Sequence, residues 1–225
     1  MNGGIELVVF DMAGTTVADG GQVPAAFTAT LRRYGVDVDA GDLRAIRGAS
    51  KREALRRLLP AGAGSDDRAA EAFEYFREEL AARFAREGVR AIAGAEETFQ
   101  WLRARGIRVA LNTGFDRDTT RLLLAALDWT DGRVDAVVCG DDVARGRPAP
   151  DLILRAMEAT GVRDANAVAS AGDTVLDLQA GHHAGVRWNI GVLSGAHDRA
   201  ALDAVPHTHL IASVAQVPDL WEPLR

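Results

Sequence analysis

The sequence predicts an α/β protein: a Rossmann-like, doubly wound parallel sheet with an α-helical segment inserted near its start. Three observations carry this. Short apolar runs recur along the 225 residues, each ending in a small or acidic residue. Amphipathic stretches alternate with the last four runs, the pattern of parallel strands joined by right-handed helical crossovers. Between about Val17 and Val89 that rhythm breaks and only helical periodicity remains.

The first run, "IELVVFD", reads as a buried strand. "PAAFTATLRRYG", "SKREALRRLL" and "DDRAAEAFEYFREELAARFAREG" follow with helical spacing, and "PAGAGSDD" is a loop between the last two. The strand runs "IRVALNT", "VDAVVCGDD", "NAVASAGD" and "RWNIGVL" then alternate with the helix runs "GAEETFQWLRARG", "DRDTTRLLLAAL", "APDLILRAMEATG" and "TVLDLQAGHHAG". The expected organisation is a sheet-forming core of residues 1–16 and 90–225, with residues 17–89 as the helical insertion.

Composition narrows the function classes. Hydrophobic residues make up 48% and charged residues 26%, the profile of a soluble globular chain. The net charge of −6 argues against nucleic acid or an anionic membrane surface as partner. Cys139 is the single cysteine, so no intrachain disulfide forms and a reducing compartment is expected. "MNGGIELVVFD" lacks a basic leader, and no apolar window reaches the roughly 18 residues of a membrane span. The expectation is a cytoplasmic protein.

Ligands of open α/β sheets bind beyond the carboxyl ends of the strands. Asp11 lies at the first such end, Thr113 and Gly114 at the next, and Asp173 at the fourth, with Asp177 one helical turn on. Arg147 precedes a Pro-led helix start. A carboxylate at a strand tip can attack phosphorus, and a divalent cation with positive donors must then offset the repulsion of two anions. Asp11 and Asp173 suit a shared Mg²⁺. Thr113 suits phosphoryl oxygens, and Arg147 adds a fork of donors.

These motifs in this order resemble the haloacid dehalogenase superfamily, and the resemblance covers nearly the whole chain. It implies a Rossmann-like core, a helical cap after the first strand, and a Mg²⁺ site on Asp11, the backbone carbonyl of Ala13, and Asp173. Thr15, Gly114 and Asp177 stand as substrate-binding or supporting residues. Most phosphatases of the superfamily carry an aspartate where this chain has Ala13, so a poor leaving group would depart without an acid.

"FDMAGTTV", "GRP" and "GDTVLDLQAGHHAGV" are similar to the phosphonatases, which carry alanine and arginine at the Ala13 and Arg147 positions. That resemblance implies cleavage of the carbon–phosphorus bond of a phosphonoaldehyde by way of a cap-lysine Schiff base, and Lys51 falls where the lysine is expected. Arg47, Ala54 and the Gly21–Gln22 turn depart from the family's Met, His and Cys, which puts the substrate in doubt. The competing expectations are a phosphatase for a small phosphate ester, a metal-free dehalogenase and a non-catalytic binding domain. A homodimer through the cap is compatible with the resemblance.

Lys51 is also conspicuous on its own. Of 26 Lys and Arg residues it is the one lysine, leaving 25 arginines, and only lysine can act as a neutral amine nucleophile. Ser50 and Glu53 spell a capping box, which places Lys51 first in its helix. The helix dipole there disfavours a cation by about 0.3–1 kcal/mol and so favours the free amine. The bland alternative is a solvated charge on a face with Arg52, Arg56 and Arg57. Phe73, Phe76, Leu80 and Phe84 read as cap core, and Trp101, Trp129, Trp188 and Trp221 as packing. His182–His183 and "HTH" at 207–209 lack a third metal ligand.

Overall fold

The computed structural model describes residues 4–60, 65–130 and 132–221. Six parallel strands form one sheet in the order β3-β2-β1-β4-β5-β6. They are β1 (Leu7–Asp11), β2 (Arg108–Asn112), β3 (Ala136–Val138), β4 (Val168–Gly172), β5 (Trp188–Val192) and β6 (His209–Ile211). The order reverses direction beside β1, which pairs with β2 on one side and β4 on the other. That switch point opens a crevice beyond the strand ends.

Strand alternation explains the two-sided burial of β1. Val8 and Phe10 join the cluster containing Phe99 and Leu102 of α5 (Ala95–Arg103). Leu7 and Val9 face the opposite cluster, with Leu152 and Ala156 of α7 (Asp151–Thr160) and Ala180 of α8 (Val175–Ala184). Helix α6 (Arg117–Ala126) connects β2 to β3, α7 lies between β3 and β4, and α8 connects β4 to β5, so helices link these parallel strands as the run pattern predicts.

Five helices lie between β1 and β2 among the described residues; α5 packs on the sheet, and the four before it are α1 (Gln22–Arg33), α2 (Ala40–Ala45), α3 (Lys51–Leu58) and α4 (Ser65–Glu87). Phe27 and Leu31 of α1, Leu55 of α3, and Phe73, Phe76 and Leu80 of α4 are buried, with Phe27 and Phe76 ring centroids 4.5 Å apart. The apolar stripe on α4 is therefore core of the helical insertion; Phe84 packs at its partly buried end. The expected loop "PAGAGSDD" falls partly outside the described residues, and α4 begins at its serine.

Three elements escape the sequence reading. Helix α2 has six residues, held by a capping box between Asp39 and Asp42. Helix α9 (Arg199–Asp203) has five. Strand β6 has three half-buried residues and exists through its pairing with β5. Each is too short to show a hydrophobic period.

The tryptophans pack as expected. Trp129 is buried and donates its indole N–H to Glu96 at 3.0 Å, while Trp188 and Trp221 meet edge to face at 4.3 Å. No helix among the described residues is long and apolar enough to cross a membrane.

Candidate active site

The sheet ends position the site. Asp11 is the last residue of β1 and is 5% exposed. Behind it the chain turns so tightly that the Met12 carbonyl accepts from the N–H groups of Thr16 and Val17, at 2.9 and 2.7 Å. This turn delivers the Thr15 hydroxyl to Asp173 Oδ1 at 3.2 Å and ties the Thr16 hydroxyl to the Asp11 carbonyl at 2.9 Å. Asp173 follows β4 directly, across the switch point from Asp11.

Arg147 is almost wholly buried and spends its donors on protein. Its Nη2 meets Asp11 Oδ1 at 2.7 Å and its Nε meets Asp177 Oδ1 at 2.9 Å. Nη2 also donates to Asn112 Oδ1 at 2.5 Å, and Nη1 to the Gly48 carbonyl at 3.3 Å. Arg147 thus orients the Asp11 carboxylate and holds the core to the helical insertion. Asn112, at the tip of β2, is a supporting residue that the motif reading overlooked; a buried polar side chain one position before Thr113 was the available signal.

Ligand atoms of Asp11, Asp173 and Asp177 all lie within 4.8 Å of one another, and all three residues are buried. Asp177 has both oxygens engaged: Oδ2 accepts from the Thr174 N–H at 3.0 Å and the Thr174 hydroxyl at 2.5 Å, and Oδ1 takes Arg147. Asp173 Oδ2 accepts from the Ala196 N–H at 2.6 Å. Burial holds the Asp11 carboxyl well above its ordinary range, with Arg147 opposing and Asp177 adding to the rise. Burial, then the charges of Asp11 and Asp177, push Asp173 upward too.

Three buried carboxylates beside Arg147 and Lys51 leave one excess negative charge when all are ionised. A hard divalent cation fits that donor set and removes the strain on both raised carboxyls. Asp11 and Asp173 would hold it. Ala13, which has no polar side-chain atom, could contribute only its carbonyl.

Lys51 begins α3, as the sequence predicts, but the capping box does not form. Ser50 is the N-cap residue without a side-chain bond, and Glu53 instead accepts from Arg56 at 3.3 Å. The core satisfies a different N–H of the helix start: that of Lys51 donates to the Gly114 carbonyl at 3.2 Å. Nor does Lys51 share the solvated face of Arg52, Arg56 and Arg57, which are exposed while Lys51 is buried. Its Nζ donates to the Ala49 carbonyl at 3.2 Å and sits 4.7 Å from the Phe115 ring centroid. Burial lowers its pKa from 10.5 to about 8, Asp11 pulling it up and Arg147 and Arg47 pressing it down.

Asp11, Ala13, Lys51, Thr113, Gly114, Arg147 and Asp173 line one cavity of about 20 Å³, together with Arg47, Gly48, Val23 and Thr174. Thr15 and Asp177 stand behind it, bonded to Asp173 and Arg147. The Thr113 hydroxyl accepts from the Phe115 N–H at 3.2 Å. Gly114 is required by contact: a Cβ there would fall 2.5 Å from the Ala49 carbonyl oxygen. Arg47 is a further wall residue whose position the motifs did not reveal.

None of His182, His183, His207 and His209 lines this cavity. His183 Nδ1 lies 2.7 Å from the Pro148 carbonyl, and His207 and His209 make local contacts.

The family model for haloacid dehalogenase-like hydrolases matches residues 5–185. Phosphonoacetaldehyde hydrolase of Syntrophobacter fumaroxidans is 32% identical over 232 residues, covering 96% of this chain and 83% of that one. The enzyme of that name from Bacteroides fragilis is 30% identical over 230 residues, covering 95% and 87%. Among solved structures, a phosphonoacetaldehyde hydrolase-like protein from Oleispira antarctica superposes with a TM-score of 0.85 at 25% identity, covering 97% of this chain and 91% of that one. A parallel sheet with this switch point, an aspartate at its first tip and a sequence match across most of its length have one common source: the chain belongs to the haloacid dehalogenase-like hydrolases.

Proposed function

We propose that this hydrolase is a Mg²⁺-dependent phosphonatase-like enzyme that cleaves the carbon–phosphorus bond of a phosphonoaldehyde such as phosphonoacetaldehyde. The observation that carries the reading is the placement of Lys51: a buried amine of lowered pKa in the same cavity as Asp11. The similarity to phosphonoacetaldehyde hydrolases supports it. In this reading residues 17–89 are a cap over the core of residues 1–16 and 90–225. A cavity of about 20 Å³ has room for roughly one water, so substrate enters when the cap lifts.

The Lys51 amine adds to the substrate carbonyl and water leaves, giving an iminium. Asp11, oriented by Arg147, attacks phosphorus; the carbon–phosphorus bond breaks and its electron pair moves into the iminium, forming an enamine. The enamine takes a proton on carbon, and water hydrolyses the resulting iminium to free the aldehyde and Lys51. A second water hydrolyses the Asp11 acyl phosphate to phosphate, so one water is consumed overall. Mg²⁺, when bound by Asp11 and Asp173, neutralises charge between the nucleophile and the phosphonate. Ala13 is tolerated because an enamine leaves without the acid that an alkoxide requires. Thr113 offers its hydroxyl to the phosphoryl oxygens.

Incubation with phosphonoacetaldehyde and Mg²⁺, with and without borohydride, tests the proposal. Wild-type protein should release phosphate and acetaldehyde and carry a reduced two-carbon adduct on Lys51, both lost in Lys51→Arg. Hydrolysis of small phosphate esters that is indifferent to Lys51→Arg, with no trapped adduct, would sink it in favour of a general phosphatase.

A further inference from the structure

Beside the catalytic cavity lies a much larger one of about 460 Å³, and Arg47 lines both. Gly48 and Thr174 of the catalytic cavity are chain neighbours of Arg47 and Val175 of the larger one. The larger cavity collects donors. Arg44 and Arg47 line it, and so does His197, whose Nδ1 accepts from the Val175 N–H at 2.9 Å, leaving Nε2 as the ring's donor. Its one acidic residue, Asp198, is committed to the Ala201 N–H at 2.9 Å as the cap of α9. The cavity on the other side of Lys51, about 130 Å³, mixes Arg52 with Asp116 and Asp141 and has no such bias.

Arg47 differs from the other cations of the catalytic cavity. Arg147 is fully used within the protein, and Lys51 is the amine of the reaction. Arg47 is half-buried and is paired through Nη1 with Asp19, while its remaining guanidinium N–H groups have no side-chain acceptor among the described residues. Arg47 lines the same cavity as Asp11 and Lys51, so with the phosphonate at Asp11 and the carbonyl at Lys51 it is the cation left to meet a further group on the substrate.

Resting on the phosphonatase-like reading, we propose that the substrates of this enzyme are phosphono-carbonyl compounds carrying a second anionic group, a carboxylate on the carbonyl side, and that Arg47 reads it. A ketone suffices: the iminium forms at the carbonyl carbon, the phosphoryl group passes to Asp11, and hydrolysis of the enamine releases a keto acid with one water consumed overall. A guanidinium facing a carboxylate provides two parallel donors, and one such charge-assisted contact is enough for about tenfold or more in discrimination.

The test compares 3-phosphonopyruvate, which has a carboxylate on its carbonyl carbon, with phosphonoacetaldehyde, in wild type and Arg47→Met. The expected result is a kcat/KM about tenfold or more higher for 3-phosphonopyruvate, with the ratio of the two kcat/KM values falling to about one in Arg47→Met. Calorimetric binding of unreactive 3-phosphonopropanoate and propylphosphonate to wild-type protein gives a readout independent of turnover and of the variant's folding. The carboxylate compound should bind about tenfold or more tightly. Cleavage of phosphonoacetaldehyde alone, or equal binding of the two analogues, overturns the role of Arg47 and leaves the phosphonatase-like reading standing. Cleavage of neither phosphonate, with no borohydride adduct, overturns that reading and this inference with it.

Discussion

The main-chain N–H of Lys51 donates to the carbonyl of Gly114 at 3.2 Å, joining the first residue of α3 to the loop after β2. The contact that satisfies the first N–H of this helix also ties Lys51, which lines the cavity of Asp11, to the sheet. Packing at this seam is backbone to backbone, because a Cβ on Gly114 would sit 2.5 Å from the Ala49 carbonyl oxygen.

Gly114→Ala should push the Gly48–Ala49 stretch away from the β2 loop and withdraw Lys51 from Asp11. Phosphonate turnover is expected to fall by about tenfold or more, with a stability loss of about 1–3 kcal/mol from overpacking. Steady-state kinetics with urea denaturation checks both. An alanine variant as active as wild type would show that the seam need not be this close.

Lys51→Met should abolish trapping and lower phosphonate turnover by about three orders of magnitude or more. It should also raise stability at neutral pH by about 1 kcal/mol, since a buried ammonium is replaced by an apolar chain of similar length. The combination of an inactive and more stable protein, read by thermal unfolding beside kinetics, distinguishes a functional amine from a structural one.

The lowered pKa of Lys51 fixes a pH dependence. Its folded value, about 8, lies below the unfolded 10.5, so the unfolded state binds more protons between them. The destabilisation is complete below about pH 8 and is relieved as the pH rises toward 10.5. The neutral amine accumulates over the lower part of the same rise, so the initial rate of borohydride trapping should increase from pH 6.5 to about 8.5 and then level. A rate still climbing steeply above pH 9.5 would place Lys51 in an aqueous environment.

Asp11 and Asp173 move the other way. Both are raised above the ordinary carboxylate value near 3.8, so the folded state binds more protons than the unfolded one above that pH. Their contribution to metal-free stability should therefore decline as pH rises from about 4.5 through neutrality, and Mg²⁺ should compensate by displacing the protons. The increase in Tm on adding Mg²⁺ is expected to be larger at about pH 8 than at about pH 5.5, and to vanish in Asp173→Asn. Scanning fluorimetry with chelator controls measures it.

Arg147→Met would leave Asp11 and Asp177 without their shared cation. A loss of about 3–5 kcal/mol is expected, the range for breaking a buried pair by removing one partner. Double substitution with Asp177→Asn should recover part of it, because one of the two stranded charges is gone. Chemical denaturation of the single and double variants decides this.

The sequence by itself determined the sheet, because buried parallel strands are short apolar runs, and five of the six strands had that form. It determined the helical insertion by the change of period after Asp11, and it placed Asp11, Thr113 and Asp173 at strand ends, where local turn chemistry and topology coincide. Three-residue β6 was not legible, since it is a strand only through its neighbour. The environment of each charge was decided by tertiary structure. Ser50 and Glu53 promise a cap from local spacing, yet the Gly114 carbonyl takes the helix's first donor instead. Arg147 reads from its motif as a free fork for phosphate, yet two buried carboxylates claim it. Helical spacing leaves Lys51 either a solvated charge with Arg52, Arg56 and Arg57 or an amine of the site, and the fold decides by turning it inward. Burial and charge pairing depend on residues far apart in the chain, Thr15 and Asp173 being 158 positions apart, and no local pattern encodes them.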